Sequence, residues 1–136
     1  MKIIRSGARA SILGRGDWFQ GRAWYDEIAV PAAPSRIHFL EAHFEPGART
    51  AWHSHPLGQT LHVISGVGRV QKAGEAVREI RPGDTILIAP NERHWHGAAP
   101  AHGVVHLAVQ QTAPDGTEAS WFEPVSEAEY NAPPSG

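Results

Sequence analysis

The chain of 136 residues contains no cysteine, which excludes disulfide bonds and thiolate metal sites. It has no apolar stretch long enough for a signal peptide or a membrane span. These two absences predict a cytoplasmic protein without a membrane partner. The net charge is −2 and no block of like charge occurs, so no nucleic-acid partner is expected either.

Glycine and proline are plentiful, with 14 and 11 residues spread along the chain. This composition predicts many short strands and tight turns, and no segment has a long helical period. We therefore predict one all-β barrel domain, with its core over about 37–111, an N-terminal arm over 1–36 and a tail over 112–136. Ser126 and Glu129 form a capping-box pattern that allows one short helical turn in the tail.

Nine histidines are the compositional anomaly, and four of them form two His-x-His pairs. His53 and His55 are the first pair, and His94 and His96 are the second. Residues two apart in a strand point to the same face, so each pair presents two imidazoles side by side. Gln59 follows the first pair after a turn and can bring an amide oxygen to the same point. These donors suit Mn, Fe, Co, Ni or Zn.

Alternation over residues 37–45 separates a charged face from a less charged one. The less charged face is the better candidate for the barrel lumen, and it carries His38, Leu40, Ala42 and Phe44. His38 and His43 are nevertheless interpreted as surface or subunit-contact histidines. The aromatic residues between positions 17 and 25 are expected to pack at a sheet edge or against another subunit.

Two further strands are assigned in the same way. Over residues 59–65, the face that must look inward carries Gln59, Leu61 and Val63. His62 lies on the opposite face and is interpreted as structural. Over residues 103–111, one face carries His106, Ala108 and Gln110. If His106 faces the metal, Gln110 lines the same cavity.

The two histidine-containing stretches together resemble the paired motifs of the cupin superfamily. The first motif has a glycine, a His-x-His pair, a glutamate and a second glycine, and it is matched by Gly47, His53, His55 and Gly66. Gln59 stands where most cupins have glutamate. The second motif places a histidine eleven residues after a glycine, as Gly83 and His94 do. The resemblance implies a single-domain, jelly-roll β-barrel.

The expected ligand set has a chemical consequence. Three neutral imidazoles and one amide leave a divalent ion with its full +2 charge, where a glutamate would remove one unit. The open coordination positions would then be strongly Lewis acidic and would attract developing anions. An uncoordinated histidine close by is a candidate general base.

Within the cupins, the chain is similar to the small bacterial manganese-dependent hydroxynitrile lyases. The shared text includes FEPGARTAWHSHPLGQTL over 44–61, the HWHGAAP run ending at Pro100, and HLAVQ over 106–110. In that group a glutamine in the place of the glutamate is usual. The resemblance implies that Mn²⁺ is bound by His53, His55, Gln59 and His94. It also implies that the polar groups of the active site are His96, His106 and Gln110.

The implied reaction is the reversible cleavage of a cyanohydrin, such as mandelonitrile, to an aldehyde and hydrogen cyanide, with R-selectivity. The metal would lower the pKa of the substrate hydroxyl, and His96 or His106 would take its proton. The side chain of this small-molecule substrate would lie in an apolar pocket formed by Leu40, Ala42, Phe44, Thr50, Leu61 and Val63.

Two other functions are compatible with the same residues. A three-histidine site loaded with iron, copper or nickel could bind O₂ and act as a dioxygenase. A cupin that binds a small ligand without turnover is the second alternative. Five tryptophans and the strands that flank the barrel indicate a homodimer or homotetramer.

Overall fold

The computed structural model describes residues 1–136, which form thirteen strands and one short helix. The strands are β1 (Ile12–Leu13), β2 (Phe19–Gln20), β3 (Ala23–Ala29), β4 (Ile37–Phe44), β5 (Arg49–Thr50), β6 (His53–Ser54), β7 (Gln59–Gly66), β8 (Gly68–Lys72), β9 (Arg78–Ile80), β10 (Thr85–Ile88), β11 (His94–Ala98), β12 (Val104–Gln111) and β13 (Ser120–Trp121). The helix α1 spans Glu127–Tyr130.

The strands form two sheets in which every pairing is antiparallel. One sheet has the order β1-β3-β4-β12-β7-β10. The other has the order β13-β6-β11-β5-β2, with β8 beside β11 and β9 beside β8. A single apolar cluster joins their inner faces, contributed by Ala42, Phe44, Val63 and Val104 from one sheet and Val70, Ile80 and Ala98 from the other. The predicted all-β jelly-roll barrel is confirmed.

Burial alternates along the long strands as the sequence predicts. In β12, His106, Ala108 and Gln110 are buried, whereas the residues between them are only partly buried. In β7, Gln59 is buried and His62 is not, which agrees with the structural interpretation of His62. His62 Nδ1 lies 2.8 Å from the Thr85 hydroxyl on the neighbouring strand. The two-residue period thus assigned the correct face to each of these histidines.

The tail is anchored by a second apolar cluster on the outer face of the seven-stranded sheet, formed by Trp52, Val77, Trp95, Val125 and Tyr130. Tyr130 also donates its hydroxyl hydrogen to Ala98 O at 2.7 Å. The capping box at Ser126 and Glu129 is present in both directions, which confirms the predicted short helical turn. Anchoring α1 in this way fixes the preceding residues of the tail, and β13 pairs with β6 so that Trp121 lies opposite His53.

A glycine is required at the turn between the first histidine pair and Gln59. Gly58 has φ +78°, and a Cβ atom there would lie 2.6 Å from Ile88 O. Only a residue without a side chain fits both the conformation and the contact. The second turn contains Asn91 with φ 59°, the left-handed conformation that asparagine tolerates. No helix of this chain has the length and apolar character that crossing a membrane requires.

Candidate metal centre and adjoining cavity

The two histidine pairs meet inside the barrel. His53 on β6 is the direct cross-strand partner of His94 on β11, and their ring centroids are 4.2 Å apart. His55 follows one residue beyond β6, with its ring 5.1 Å from that of His53. All three side chains are buried. Antiparallel pairing therefore assembles three imidazoles from two segments whose paired residues, His53 and His94, are 41 positions apart in sequence.

Each of these rings is oriented by a hydrogen bond to a backbone carbonyl. The Nδ1 atoms of His53, His55 and His94 lie 2.9, 2.9 and 2.8 Å from the carbonyl oxygens of Ala51, Glu118 and Glu92. Because a carbonyl can only accept, the proton of each neutral ring is on Nδ1 and the lone pair is on Nε2. Histidines that bind metals are commonly oriented in this way.

Gln59 adds an oxygen to the three nitrogens. Its Oε1 atom lies 3.2 Å from His94 Nε2, and its Nε2 atom donates to Gln110 Oε1 at 3.1 Å. The amide oxygen of Gln59 and the Nε2 nitrogen of His94 therefore each direct a lone pair at the other, and no hydrogen bond joins them. His55 Nε2 is buried and has no hydrogen-bond partner. A divalent cation bound by these atoms would satisfy all of them, so the residues fit the metal that the fold family implies.

The protonation states agree with this interpretation. Burial lowers the pKa of His53 and His55, and it lowers the pKa of His94 to about 4. The rings are consequently neutral at pH 7 and each retains a lone pair for a metal.

His96 offers an alternative third ligand. One nitrogen from each of His53, His94 and His96 can be chosen so that all three lie within 4.8 Å of one another. His96 Nδ1 is 3.1 Å from His106 Nε2, which leaves Nε2 as the ligand nitrogen of His96, and the buried Nε2 atom of His55 has no hydrogen-bond partner. His55 and His96 therefore each offer an Nε2 atom to a metal.

A cavity of about 480 Å³ opens onto this cluster. This volume is within the range of small-molecule binding sites. It is lined by seven of the nine residues predicted for the substrate pocket and the catalytic groups: Leu40, Ala42, Phe44, Thr50, His96, His106 and Gln110. Three predicted metal ligands, His53, His55 and Gln59, also reach the cavity, while His94 lies behind its wall against Gln59.

The prediction that Leu61 and Val63 line the pocket is wrong. Both point inward, but Leu61 is packed against Ile88 and Ala108, and Val63 belongs to the cluster around Phe44. Their exposed fractions are 0% and 1%. Side chains from neighbouring strands fill the space above them, so they belong to the core rather than to the cavity surface.

His38 is also placed differently from its interpretation as a surface histidine. It lines the cavity, with Nδ1 2.6 Å from Glu118 Oε1 and Nε2 3.0 Å from Glu27 Oε2. The hydrogen bond with Glu118 raises the pKa of His38, and the same bond lowers the pKa of Glu118. The inward face of β4 was the sequence signal for His38, whereas no local pattern indicates that Glu118 reaches the site.

Aromatic residues from the N-terminal segment and the tail form another part of the wall that sequence patterns did not indicate. Trp18, Phe19 and Tyr25 line the cavity together with Trp121. Trp18 and Trp121 stack with ring centroids 4.9 Å apart, and Trp121 also stacks on His53 at 4.5 Å. Phe19 lies on β2, the edge strand of its sheet, which agrees with the expected packing at a sheet edge, and the tail places Trp121 over the same cavity.

His96 and His106 form a hydrogen-bonded pair with a defined direction. His106 Nδ1 lies 3.2 Å from Leu107 O, which places the proton of the neutral ring on Nδ1 and the lone pair on Nε2. His96 Nδ1 then donates to His106 Nε2 at 3.1 Å, so the lone pair of His96 is on its own Nε2 atom. Burial lowers the pKa of His106 to about 4 and that of His96 well below its usual value. The lone pair of His96 is therefore available at neutral pH.

The sequence and the fold are both similar to those of known proteins. Residues 40–109 match the cupin domain family. A relative from Granulicella tundricola named (R)-mandelonitrile lyase is 47% identical over 130 residues, which cover 96% of this chain and 98% of the relative. A cupin-like protein from Thermotoga maritima has a TM-score of 0.81 and 37% identity, with 96% of this chain and 95% of that one covered. A polyketide cyclase from Streptomyces resistomycificus shares the fold at a TM-score of 0.75 and 20% identity, over 96% of this chain and 90% of its own. With its histidine pairs on adjacent strands of one barrel and this matching domain sequence, the chain belongs to the cupin family.

Proposed function

We propose that the protein is a metal-dependent hydroxynitrile lyase that cleaves cyanohydrins such as mandelonitrile to an aldehyde and hydrogen cyanide. The observation that carries the proposal is a hydrogen-bonded histidine pair, His96 and His106, in which the ring of His96 lies 5.3 Å from that of His53 and 5.8 Å from that of His94. The relative named (R)-mandelonitrile lyase supports the same reaction and the R-selectivity.

The proposed metal ligands are His53, His55, Gln59 and His94. Mn²⁺ is the ion implied by the sequence resemblance, and Fe, Ni, Co or Zn also suit these donors. The cation would supply a Lewis acid that stabilises negative charge on an oxygen of the substrate.

His96 is the proposed base. Its Nε2 atom accepts the hydroxyl proton of the cyanohydrin, and the electron pair of the broken C–C bond leaves with cyanide. His96 then returns the proton to cyanide, which gives hydrogen cyanide and the free aldehyde. Because burial lowers the pKa of His96, its protonated ring is more acidic than an ordinary imidazolium, which favours the return of the proton. His106 holds His96 in the tautomer that this step requires.

The remaining cavity surface binds the rest of the substrate. Leu40, Ala42 and Phe44 form an apolar wall, which suits an aromatic or aliphatic side chain. Gln110 donates one amide hydrogen to Glu118 and has a second hydrogen for the departing cyanide. The stacked rings of Trp18 and Trp121 line the same cavity.

The test is the cleavage of mandelonitrile by metal-free protein reloaded with Mn²⁺, Fe²⁺ or Zn²⁺ under nitrogen. Metal-dependent release of benzaldehyde and cyanide without oxygen is expected. If no metal restores cleavage, the lyase proposal is wrong, and oxygen uptake with catechols and diketones would then test the dioxygenase alternative. Homo-oligomer formation and a cytoplasmic location stay predictions, the first of which sedimentation would test.

A further inference from the structure

Two amide side chains connect the candidate metal centre to a carboxylate that lies outside it. Gln59 Nε2 donates to Gln110 Oε1 at 3.1 Å, and Gln110 Nε2 donates to Glu118 Oε1 at 2.8 Å. The Gln59 oxygen is left facing His94 Nε2 at 3.2 Å. These hydrogen bonds all run in one direction, from the metal centre toward Glu118. We refer to Gln59, Gln110 and Glu118 as the amide chain.

A primary amide has a donor end and an acceptor end, so a row of two amides can run in either direction. In one direction Gln59 presents its oxygen to the metal centre, and in the other it presents its NH₂ group. The amide NH₂ group has no available lone pair and cannot bind a cation. The direction of the amide chain therefore decides whether Gln59 is a metal ligand.

Glu118 distinguishes the two directions because an ionised carboxylate only accepts hydrogen bonds. Gln110 must turn its NH₂ group toward Glu118, which turns its oxygen toward Gln59. Gln59 must then turn its own NH₂ group toward Gln110, and its oxygen points to the metal centre. In the reverse direction, oxygen would face oxygen at the contact between Gln110 and Glu118, an arrangement without a hydrogen bond.

The accepting oxygen of Glu118 is itself held in place. His38 Nδ1 lies 2.6 Å from the same Oε1 atom that accepts from Gln110, and His38 Nε2 lies 3.0 Å from Glu27 Oε2. Both nitrogens of His38 thus face carboxylates. The backbone of Glu118 also contributes, since its carbonyl oxygen accepts from His55 Nδ1 at 2.9 Å. The tail residue Glu118 consequently contacts the metal centre in two ways: its backbone orients the His55 ring, and its side chain accepts from Gln110.

We propose that Glu118 is a positioning residue that sets the direction of the amide chain, so that Gln59 offers its oxygen to the metal. The inference rests on the metal centre of the proposed function. A glutamate at position 59 would need no such support, because both of its oxygens carry lone pairs. Glutamine at this position leaves the full +2 charge on the ion, and Glu118 supplies the orientation that an amide ligand lacks.

The test measures Mn²⁺ affinity, by calorimetry on metal-free protein, in the wild type, Glu118→Met and Glu118→Gln. Methionine keeps the length of the side chain but accepts no comparable hydrogen bond, so affinity should fall about 10- to 100-fold, the range for losing a residue that orients a ligand. Glu118→Gln replaces the carboxylate by an amide that can turn either its oxygen or its NH₂ group toward Gln110, so the direction is no longer fixed and the affinity should fall as well.

A second background separates orientation from a general structural role. In Gln59→Glu protein, residue 59 offers an oxygen in either direction of the chain, so adding Glu118→Met should no longer weaken Mn²⁺ binding. Equal weakening in both backgrounds, or no weakening by Glu118→Met in the wild-type background, would overturn the proposal. Failure of the wild type to bind Mn²⁺ would overturn the metal centre as well, and this result is distinct from the other two. Thermal unfolding of the metal-free variants serves as the control for folding.

Discussion

His94 Nε2 and Gln59 Oε1 lie 3.2 Å apart with no hydrogen between them. His94 has its proton on the other nitrogen, which donates to Glu92 O at 2.8 Å, and Gln59 directs its NH₂ group at Gln110. Two acceptors at this distance repel unless a proton or another cation lies between them. Burial lowers the pKa of His94 to about 4, so a proton is absent at neutral pH. The pair is therefore arranged for a metal ion.

The pH dependence of metal binding follows from this relationship. A metal competes with protons for imidazole nitrogens, and an ordinary histidine begins to lose that competition below its pKa of 6.5. Here the lowered pKa of His94 moves the competition to about pH 4. We expect Mn²⁺ affinity, measured by calorimetry, to stay nearly constant from pH 8 to about pH 6 and to fall steeply only toward pH 4. A steep loss centred on pH 6.5 would contradict the assignment of buried, neutral ligands.

His96 and His106 have different proposed roles, which substitutions at the two positions can separate. His96→Ala removes the proposed base and should lower kcat by roughly 10²- to 10⁴-fold. His106→Ala should cost less, because His106 acts through His96, and His106→Gln should retain more activity because its amide oxygen can still accept from His96 Nδ1. His62→Ala is the matched control, since His62 lies on the outer face of β7. A larger loss in His106→Ala than in His96→Ala would reverse the two roles.

Leu40 lies in the cavity wall and Leu61 lies in the core, so substitutions at the two positions should have different effects. Leu61 is fully buried and does not line the cavity, so Leu61→Ala should lower the free energy of unfolding by about 2–5 kcal/mol. Leu40 lines the cavity, and Leu40→Ala should raise the KM for mandelonitrile at a smaller cost in stability. Urea denaturation and steady-state kinetics of both variants check this. A KM change confined to Leu61→Ala would contradict the cavity boundary.

The turn before Gln59 gives a prediction about stability. Gly58 and Gly74 both have positive φ, but a Cβ atom at Gly58 would meet Ile88 O at 2.6 Å and one at Gly74 would meet nothing within 4 Å. Gly74→Ala should therefore cost only the strain of the left-handed conformation, about 1–2 kcal/mol. Gly58→Ala should cost more and should also weaken Mn²⁺ binding, because it displaces the turn that delivers Gln59. Denaturant unfolding and calorimetry measure both effects, and equal costs would show that the close contact is relieved without disturbing the site.

The grouping of His53, His55, Gln59 and His94 was predictable because it depends on short-range rules. The two-residue period places each histidine pair on one face, and a turn of fixed length returns Gln59 to the first pair. The position of His94 opposite His53 follows from the order of the two family motifs. Local periodicity and motif order together predicted which residues the structure brings together.

Residues that reach the site over long sequence distances were not predictable. Glu118 contacts His38 across 80 residues, and its position depends on how the tail crosses the cavity. His38 was on the predicted inward face, but a titratable side chain suggested a surface position. The two carboxylates that pair with His38 come from Glu27 and Glu118, and the second contact spans 80 residues of sequence. Alternation gives the side of a sheet that a residue faces and not the depth to which other strands cover it, which is why Leu61 and Val63 were misplaced.

The most direct test of the metal-dependent lyase is a titration of metal-free protein with Mn²⁺ under nitrogen, with mandelonitrile cleavage measured at each step. The four-ligand centre predicts activity that rises linearly and stops rising at one Mn²⁺ per chain. Full activity in the metal-free protein, or no activity with saturating Mn²⁺, would contradict it.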